Sequence, residues 1–287
     1  SARRCLRWSG PRREREGGTR VALVAGIDVG TRMTKGVLVD YPGRLLSRVA
    51  VPTGARLEEA ARAALEKLTA AAGVMTSRVE YVASTGYGRY QVPFRHVQIT
   101  DVTCHAVGAR YLFPETRSVL DIGAMNSRAM RIAETGRVIS FRMNDRCASG
   151  AGRFLERVAK ALEVELTEIG ELSDRSDDPQ PISSVCAVLA ESEVINHVTA
   201  GAKVEDILRG AHNSIAERIV ALLRQVGVEP EITLTGGVTK NSGMVRALEE
   251  RLQARVNVSK DAEFAGAIGA ALLGGSRHER LARHAAS

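Results

Sequence analysis

Apolar runs of six to eight residues, separated by a glycine-bearing break, begin the patterned part of the chain. Val21–Asp28 and Lys35–Asp40 are two such runs, and Gly30–Thr34 lies between them. Two short apolar runs joined by a polar break with glycine are typical of a β-hairpin. We therefore predict a hairpin whose first strand ends at Asp28.

The same pattern returns 93 residues later in the chain. It predicts three strands at Ser118–Ile122, Ser127–Ala133 and Arg137–Met143. Asp28-x-Gly30 and Asp121-x-Gly123 occupy equivalent places, at the end of the first strand of each hairpin. Two copies of one supersecondary unit predict two related domains that face each other.

Other periodic segments predict the remaining elements. Apolar positions three and four residues apart predict helices at Leu57–Ala72, Asp101–Leu112, Phe154–Leu162, Ile207–Leu223, after Asn241 and from near Phe264. Two further strands are predicted at Val79–Ser84 and Glu231–Thr235, with an acidic surface loop at Ser173–Pro181. The predicted domains are therefore 21–116 with 266–287, and 117–265.

The net charge of +7 is concentrated at one end of the chain. Residues 1–20 hold seven arginines against two glutamates, which leaves the remaining residues nearly neutral. We predict a disordered arginine-rich tail there, with a basic RNA-contacting arm as the alternative. The rest of the chain shows neither a basic stripe nor an apolar run of the ~18–20 residues that span a membrane. We expect neither a nucleic acid nor a membrane as a partner.

Four cysteines in 287 residues are too few for a disulfide scaffold, so we expect a reducing, cytoplasmic location. Cys147 and Cys186 each precede a predicted helical segment, where a thiolate has a lowered pKa and suits a metal or a cluster. The absence of C-x-x-C pairs argues against a zinc site within one chain. A four-cysteine cluster would need two further thiolates from a second chain. The alternative is that both are buried apolar cysteines.

The first aspartate–glycine turn has the residue types that phosphate binding requires. Gly30 lets an oxyanion approach the backbone, and the hydroxyl and N–H groups around Thr31 are suitable donors. Asp28 could hold a hydrated Mg²⁺, and Lys35 could neutralise a terminal phosphate. An ordinary Asp-Gly turn is the alternative for this motif taken alone.

Asp121-x-Gly123 and the strand end Thr235-Gly236-Gly237 make the set more specific. Two matched hairpins can clamp a polyphosphate, and a Gly-Gly turn lets an adenosine lie close to the backbone. Lys240 adds a positive group that suits a nucleotide. Glu191 contacts either the nucleotide or the Cys186 region, or it lies on a solvated helix face. The sequence contains neither a P-loop nor a dinucleotide-binding G-x-G-x-x-G fingerprint.

Together these residues resemble the ATPase family of 2-hydroxyacyl-CoA dehydratase activators and benzoyl-CoA reductase ATP-binding subunits, from about Val21 to Arg283. The matching motifs are Gly26-Ile-Asp28-Val-Gly30-Thr31, Asp121-Ile-Gly123, Cys147-Ala-Ser-Gly150-Ala-Gly152, Cys186-Ala-Val-Leu-Ala-Glu191, Leu234-Thr-Gly236-Gly237 and Gly266-Ala-Ile-Gly269. The cysteine segments make the resemblance specific, because sugar kinases and actin-like chaperones share the hairpins but lack that pair.

The resemblance implies an α/β fold of two domains, of the actin/Hsp70/sugar-kinase (ribonuclease H-like) type, with ATP in the interdomain cleft. It implies ATP and Mg²⁺ as cofactors and a [4Fe–4S] cluster shared between two subunits. ATP hydrolysis would then drive a low-potential electron, supplied by ferredoxin, from the cluster to a partner enzyme. The implied roles are catalysis for Asp28 and Asp121, Mg²⁺ binding for Asp28, cluster ligation for Cys147 and Cys186, and ATP binding for Gly30, Thr31, Lys35, Gly123, Glu191, Gly236, Gly237 and Lys240.

One departure distinguishes two branches of this family. After Asp121-Ile-Gly123 the activators usually carry Gly-Gln-Asp, whereas this chain has Ala124-Met125-Asn126 and resembles the delta-type subunit of benzoyl-CoA reductase. We therefore favour a reductase subunit that pairs with a paralogous ATPase subunit and serves reductase subunits that bind a CoA thioester. The alternatives are a homodimeric activator of a 2-hydroxyacyl-CoA dehydratase, a small-molecule kinase of the same fold, and a nucleotide-sensing module without chemistry.

Overall fold

The computed structural model describes residues 22–144, 152–182 and 187–286. The tail predicted at 1–20 and both candidate cluster ligands, Cys147 and Cys186, lie outside the described residues. The described residues divide into two compact units according to which of them lie close together in space. One unit is formed by 22–115 with 264–286, and the other by 116–263.

Both units combine a mixed β-sheet with helices. In the described ranges the strands are β1 (Ala22–Val29), β2 (Met33–Tyr41), β3 (Arg44–Pro52), β4 (Tyr81–Thr85), β5 (Val97–Gln98), β6 (Ser118–Ile122), β7 (Ser127–Ile132), β8 (Val138–Met143), β9 (Ile232–Thr235) and β10 (Val256–Asn257). The helices there are α1 (Leu57–Ala71), α2 (Asp101–Leu112), α3 (Gly152–Ala161), α4 (Ile169–Ser173), α5 (Ala187–Thr199), α6 (Val204–Val226), α7 (Ser242–Leu252) and α8 (Ala265–Ala286).

The sheet of the first unit has the order β3-β2-β1-β4-β5. Strand β1 pairs antiparallel with β2 and parallel with β4, which places Asp28 opposite Lys35 on one side and Thr85 on the other. Helix α8 packs directly on the β1 backbone, because any side chain at Gly26 would collide with the carbonyl oxygen of Ala267. The end of β1 is therefore held by two strands and a helix.

The sheet of the second unit repeats this order, read from the other edge, as β8-β7-β6-β9-β10. Strand β6 pairs antiparallel with β7 and parallel with β9, so Asp121 lies opposite Arg128 and Thr235. The repetition that the sequence predicts at the two hairpins therefore extends to the whole sheet. The chain has the two-sheet α/β fold that we predict from the resemblance.

Helix α6 forms much of the core of the second unit. Its buried positions Ile207, Leu208, Ala211, Ile215 and Ile219 recur at intervals of one, three and four residues, as a helix with one face on a core requires. Each fully buried leucine or isoleucine side chain contributes about 1.5–3 kcal/mol relative to leaving it exposed.

The secondary-structure predictions are right where the apolar pattern is strong. They are incomplete at the edges of the two sheets. Both hairpins are confirmed, and α2 has the predicted bounds Asp101–Leu112. The sequence pattern missed β3, an edge strand in which only Val51 is buried, and the two-residue strands β5 and β10. Edge strands bury little apolar surface, so their patterning is weak. Across the ranges that the structure covers, no helix combines the length and the apolar character that crossing a bilayer demands.

Candidate functional site

The turn after β1 is held in one conformation by its own backbone and by a threonine pair. The Gly30 N–H donates to the Met33 carbonyl at 3.2 Å, and a Cβ on Gly30 would lie only 2.8 Å from that same oxygen. The Thr53 hydroxyl donates to the Gly30 carbonyl at 2.9 Å and lies 3.0 Å from the Thr34 hydroxyl. The partly buried Thr31 lies in this fixed turn. The close approach explains why a glycine stands at position 30.

Asp28 is buried between two glycines. Its carboxylate would collide with a Cβ on Gly86, which has a φ of +87°, and would lie 2.9 Å through Oδ2 from a Cβ on Gly266. Among the described residues the Asp28 carboxylate makes no hydrogen bond or ion pair, although only 5% of the residue is exposed. A buried carboxylate costs free energy unless a cation, a donor or water compensates it. Its oxygens therefore fit a hydrated Mg²⁺, which prefers one or two carboxylates together with water.

Lys35 is the cation nearest to Asp28 in the strand register, directly opposite it on β2. Its side chain is buried along the sheet, and its ammonium group makes no ion pair or hydrogen bond with any residue that the structure describes. An ammonium group held in this way is a suitable partner for an anion at the end of β1.

Asp121 occupies the equivalent place in the second unit, but its charge is already paired. Its Oδ2 lies 2.6 Å from Nη1 of Arg128, and both side chains are largely buried. Its Oδ1 would lie 2.7 Å from a Cβ on Gly236, which has a φ of +92°. Gly236 and Gly86 each follow a buried threonine that pairs with the aspartate, so the two units repeat the same aspartate–glycine contact. What differs is the cation opposite, Lys35 in one unit and Arg128 in the other.

The turn after β6 is bonded to residues on both sides of the Cys147 segment. The Gly123 N–H donates to the Asn126 carbonyl at 2.9 Å, and the Gly152 N–H donates to the Gly123 carbonyl at 2.9 Å. On the other side of the segment, the Ser127 N–H donates to Oδ1 of Asn144 at 2.7 Å. Positions 145–151, which include Cys147, lie outside the described residues. Asn144 and Gly152, which flank this segment, are therefore both hydrogen-bonded to the turn after β6, where we predict phosphate binding.

The turn after β9 is the 3₁₀ segment Gly237–Lys240. Gly236 is buried, whereas Gly237 is exposed and a Cβ there would meet nothing within 4 Å. Lys240 is largely exposed, and its Nζ lies 2.7 Å from Oε1 of Glu263. The predicted ATP contact from Lys240 therefore comes from a group that is already ion-paired in this structure.

Glu191 lies on α5 with an exposed side chain, and in the described ranges it makes no hydrogen bond or ion pair. Cys147 and Cys186 fall in the segments that are not described. Within the ranges that are described, no three or more His, Cys, Asp and Glu side chains are arranged to hold a metal ion.

Sequence reasoning assigned no role to three residues that shape these sites: Gly86, Gly266 and Arg128. The sequence does contain a signal for Gly86, because Thr85-Gly86 follows the end of β4 just as Thr235-Gly236 follows the end of β9. That similarity would have predicted equivalent places for the two glycines. Cys104 of α2 is fully buried, and burial raises the pKa of its thiol to about 12, which suits a structural cysteine rather than a reactive one.

Comparison with known proteins agrees with this repeated architecture. The profile of the BadF/BadG/BcrA/BcrD ATPase family matches residues 25–274. One of the subunits of benzoyl-CoA reductase from Thauera aromatica is 42% identical over 277 residues, which cover 92% of this chain and 96% of that protein. The 2-hydroxyisocaproyl-CoA dehydratase activator of Clostridioides difficile is 38% identical over 247 residues, which cover 86% of this chain and 92% of that protein.

Solved structures give the same result at the level of the fold. The activator of 2-hydroxyisocaproyl-CoA dehydratase from Clostridium difficile, with bound ADPNP, has a TM-score of 0.86 at 36% identity and covers 91% of this chain and 97% of its own. A glucokinase of the ROK family from Streptomyces griseus has a TM-score of 0.55 at 17% identity, over 89% of this chain and all of its own, which shows the sugar-kinase fold alone. The chain therefore belongs to the BadF/BadG/BcrA/BcrD ATPase family.

Proposed function

We propose that this chain hydrolyses ATP and uses the reaction to drive a low-potential electron to an enzyme that acts on a CoA thioester. The observation that carries the proposal is the duplicated site, in which each unit ends a central strand with a buried aspartate packed on a glycine of positive φ. A buried carboxylate next to a fixed glycine turn is suited to binding a metal and phosphate groups. Because the chain belongs to a family of ATPases, we propose that the reaction is ATP hydrolysis.

The first unit would supply the metal and phosphate contacts. Asp28 offers carboxylate oxygens without a hydrogen bond or ion pair among the described residues, so it would hold Mg²⁺ through water. Lys35 and the N–H groups of the turn at Gly30 and Thr31 would bind phosphate oxygens. When bound, Mg²⁺ neutralises the charge that develops on the phosphates during hydrolysis.

The second unit would supply a carboxylate that accepts a hydrogen bond from the attacking water, and the residues that contact the adenosine. Arg128 fixes Asp121 through Oδ2 and leaves Oδ1 toward Gly236, so Asp121 would orient an attacking water. Gly123 would bind phosphate at its turn, and Gly236, Gly237 and Lys240 would contact the nucleoside. Glu191 has an exposed side chain that is available for a nucleotide contact.

Cys147 and Cys186 would be this chain's ligands to a [4Fe–4S] cluster completed by a second ATPase chain. When bound, such a cluster supplies one-electron transfer at low potential. The bonds from Gly123 and Ser127 to Gly152 and Asn144 support a link between the two sites, because they fix the residues that flank the Cys147 segment on the phosphate turn.

We propose a paralogous ATPase subunit as the second chain, reductase subunits that bind a CoA thioester as the electron acceptor, and ferredoxin as the donor. The 42% identity to a benzoyl-CoA reductase subunit supports this assignment, as does Ala124-Met125-Asn126 in the second turn. A homodimeric dehydratase activator is the second candidate, supported by the 38% identical activator and the activator structure at a TM-score of 0.86. A small-molecule kinase has only the fold in its favour.

Anaerobic purification of the full chain, alone and with a co-expressed paralogue, tests the cluster. We expect a brown protein with about four irons per two chains, lost in Cys147→Ala and retained in the matched control Cys5→Ser. A colourless protein that remains iron-free after reconstitution would overturn the cluster assignment. Iron in the chain purified alone would favour the homodimeric activator, whereas iron only with the paralogue would favour the reductase subunit.

A further inference from the structure

A buried polar cluster joins three helices next to the turn after β9. His212 of α6 has no exposed surface, and its two ring nitrogens have different partners. Nδ1 lies 2.9 Å from the hydroxyl of Ser173, the last residue of α4. Nε2 lies 2.9 Å from Nδ2 of Asn241, the residue that caps α7.

The partners of Asn241 fix the position of the imidazole proton. Oδ1 of Asn241 accepts the Met244 N–H at 3.0 Å, so its amide nitrogen is the group that faces His212. An amide nitrogen only donates, and Nε2 of His212 must therefore accept and carry no proton. The proton lies on Nδ1 and is donated to Ser173. Burial, with a smaller effect of the positive charge of Arg209, lowers the pKa of His212 to about 3, so the ring stays neutral.

Two glycines give this cluster its space. A Cβ on Gly243 would lie 2.9 Å from Cε1 of His212 and 3.0 Å from the Ser173 hydroxyl. A Cβ on Gly170 would lie 2.7 Å from the Ser242 hydroxyl. The helices are packed so closely here that His212 and Asn241 have little freedom to move apart.

Asn241 also closes the glycine-bearing turn that precedes it. Its N–H donates to the Val238 carbonyl at 2.9 Å, and the Thr239 hydroxyl donates to the Gly236 carbonyl at 2.7 Å. The chain from Gly236 to the start of α7 is thus one hydrogen-bonded unit with Asn241 at its end.

We infer that His212 is a positioning residue for the nucleotide turn: it holds Asn241, and through Asn241 the backbone of Gly236–Lys240, in the conformation that receives the nucleoside. This inference rests on the proposed function, in which that turn contacts ATP. It assigns to the interior of α6 a role in ATP affinity, although His212 itself touches no nucleotide.

Two substitutions separate the two bonds of His212. In His212→Gln the side-chain oxygen reaches the place of Nε2 and can still accept from Asn241, whereas in His212→Asn the amide takes the place of Nδ1 and serves only Ser173. For ADPNP binding to the full chain by calorimetry, we expect His212→Gln to stay within about twofold of wild type. We expect His212→Asn to raise Kd about five- to tenfold, since a lost hydrogen bond has this effect.

Three further readouts keep the test decisive. Asn241→Ser retains an oxygen for the cap of α7, but its shorter side chain does not reach Nε2 of His212. It should therefore raise Kd as His212→Asn does, and the double variant should add nothing. Ser173→Ala, which removes the other bond, should leave Kd near the wild-type value. In steady-state ATP hydrolysis, His212→Asn should change kcat less than it changes the KM for ATP.

Equal affinities in His212→Asn and His212→Gln, or additive losses in the double variant, would overturn the inference. A wild-type chain that binds no ADPNP would instead refute the proposed function.

Discussion

At the scale of single residues, the two aspartates show how one position in a repeated fold acquires two roles. Asp28 and Asp121 end equivalent strands and touch equivalent glycines, yet Asp121 is ion-paired at 2.6 Å with Arg128. Asp28 faces Lys35 across the strands without such a contact. In the proposed function, Asp28 would bind a metal through water, and Asp121 would be a fixed acceptor.

Asp28→Asn should abolish turnover without unfolding the protein. The amide has the same shape but cannot supply the charge for Mg²⁺, so we expect ATP hydrolysis to fall at least about 100-fold. The thermal midpoint should change little, because the carboxylate makes no ion pair with a described residue. The control for hydrolysis is Asp40→Asn near the end of β2, whose carboxylate is ion-paired with the exposed Arg44 among the residues that the structure describes. Full activity in Asp28→Asn would contradict the metal role.

Arg128→Met should destabilise the second unit through the charge that it leaves behind. Removing one partner of a buried ion pair costs about 3–5 kcal/mol, because the remaining charge is buried without compensation. Urea denaturation should show this loss, and Asp121→Asn combined with Arg128→Met should recover part of it. A double variant less stable than the single one would show that the pair does not account for the loss.

His212 should make the protein less stable in mild acid. Its folded-state pKa is lowered to about 3 from 6.5, so between these values the unfolded chain binds a proton that the folded chain does not. The free energy of unfolding therefore falls as pH decreases below 6.5, by up to about 1.4 kcal/mol per pH unit from this group. Urea denaturation between pH 7.5 and 5 should show a smaller slope for His212→Gln. Identical slopes would show that the histidine titrates normally in the folded state.

At the scale of elements, the turns between strands are the places where we propose the chemistry, and glycines shape them. The strand–turn pattern predicts where Asp28, Gly30, Asp121 and Gly123 lie, because hairpin turns leave a clear local signature in the sequence. The partners of these residues arrive from distant segments. Gly266, for example, reaches Asp28 from α8, and no local pattern predicts a contact across more than two hundred residues.

Three other features escaped prediction for physical reasons that are specific to each. Arg128 is a charged residue on a strand whose positions are nearly all buried, and its burial depends on the ion pair with Asp121, which apolar periodicity does not reveal. His212 lies within the buried stripe of α6, where only the hydrogen bonds to Ser173 and Asn241 distinguish it from a core residue. Edge strand β3 was missed because its surface is largely solvated.

Gly236→Ala and Gly237→Ala form a matched pair on one turn. Alanine at 236 would adopt a φ of +92° and collide with the Ile122 carbonyl, whereas alanine at 237 would meet nothing within 4 Å. We expect Gly236→Ala to cost at least about 2 kcal/mol in urea denaturation and to weaken ATP binding. Gly237→Ala should change stability by less than about 0.5 kcal/mol. Equal effects of the two would show that the turn is not constrained as described.

At the scale of the whole molecule, duplication is the organising feature. Both units have the same strand order, and both place an aspartate, a turn glycine and a glycine of positive φ around the end of the central strand. Residues 1–20 contribute most of the net charge of +7, so the rest of the chain is nearly neutral.

We propose that nucleotide chemistry at the duplicated turns controls a cluster held by Cys147 and Cys186. The most direct measurement is the rate at which a chelator removes iron from the anaerobically purified protein, with and without Mg²⁺ and ATP. We expect ATP to change this rate at least severalfold in the wild-type protein and to have no effect in Asp28→Asn. An iron-bearing protein whose iron is removed at the same rate with and without ATP would contradict the account.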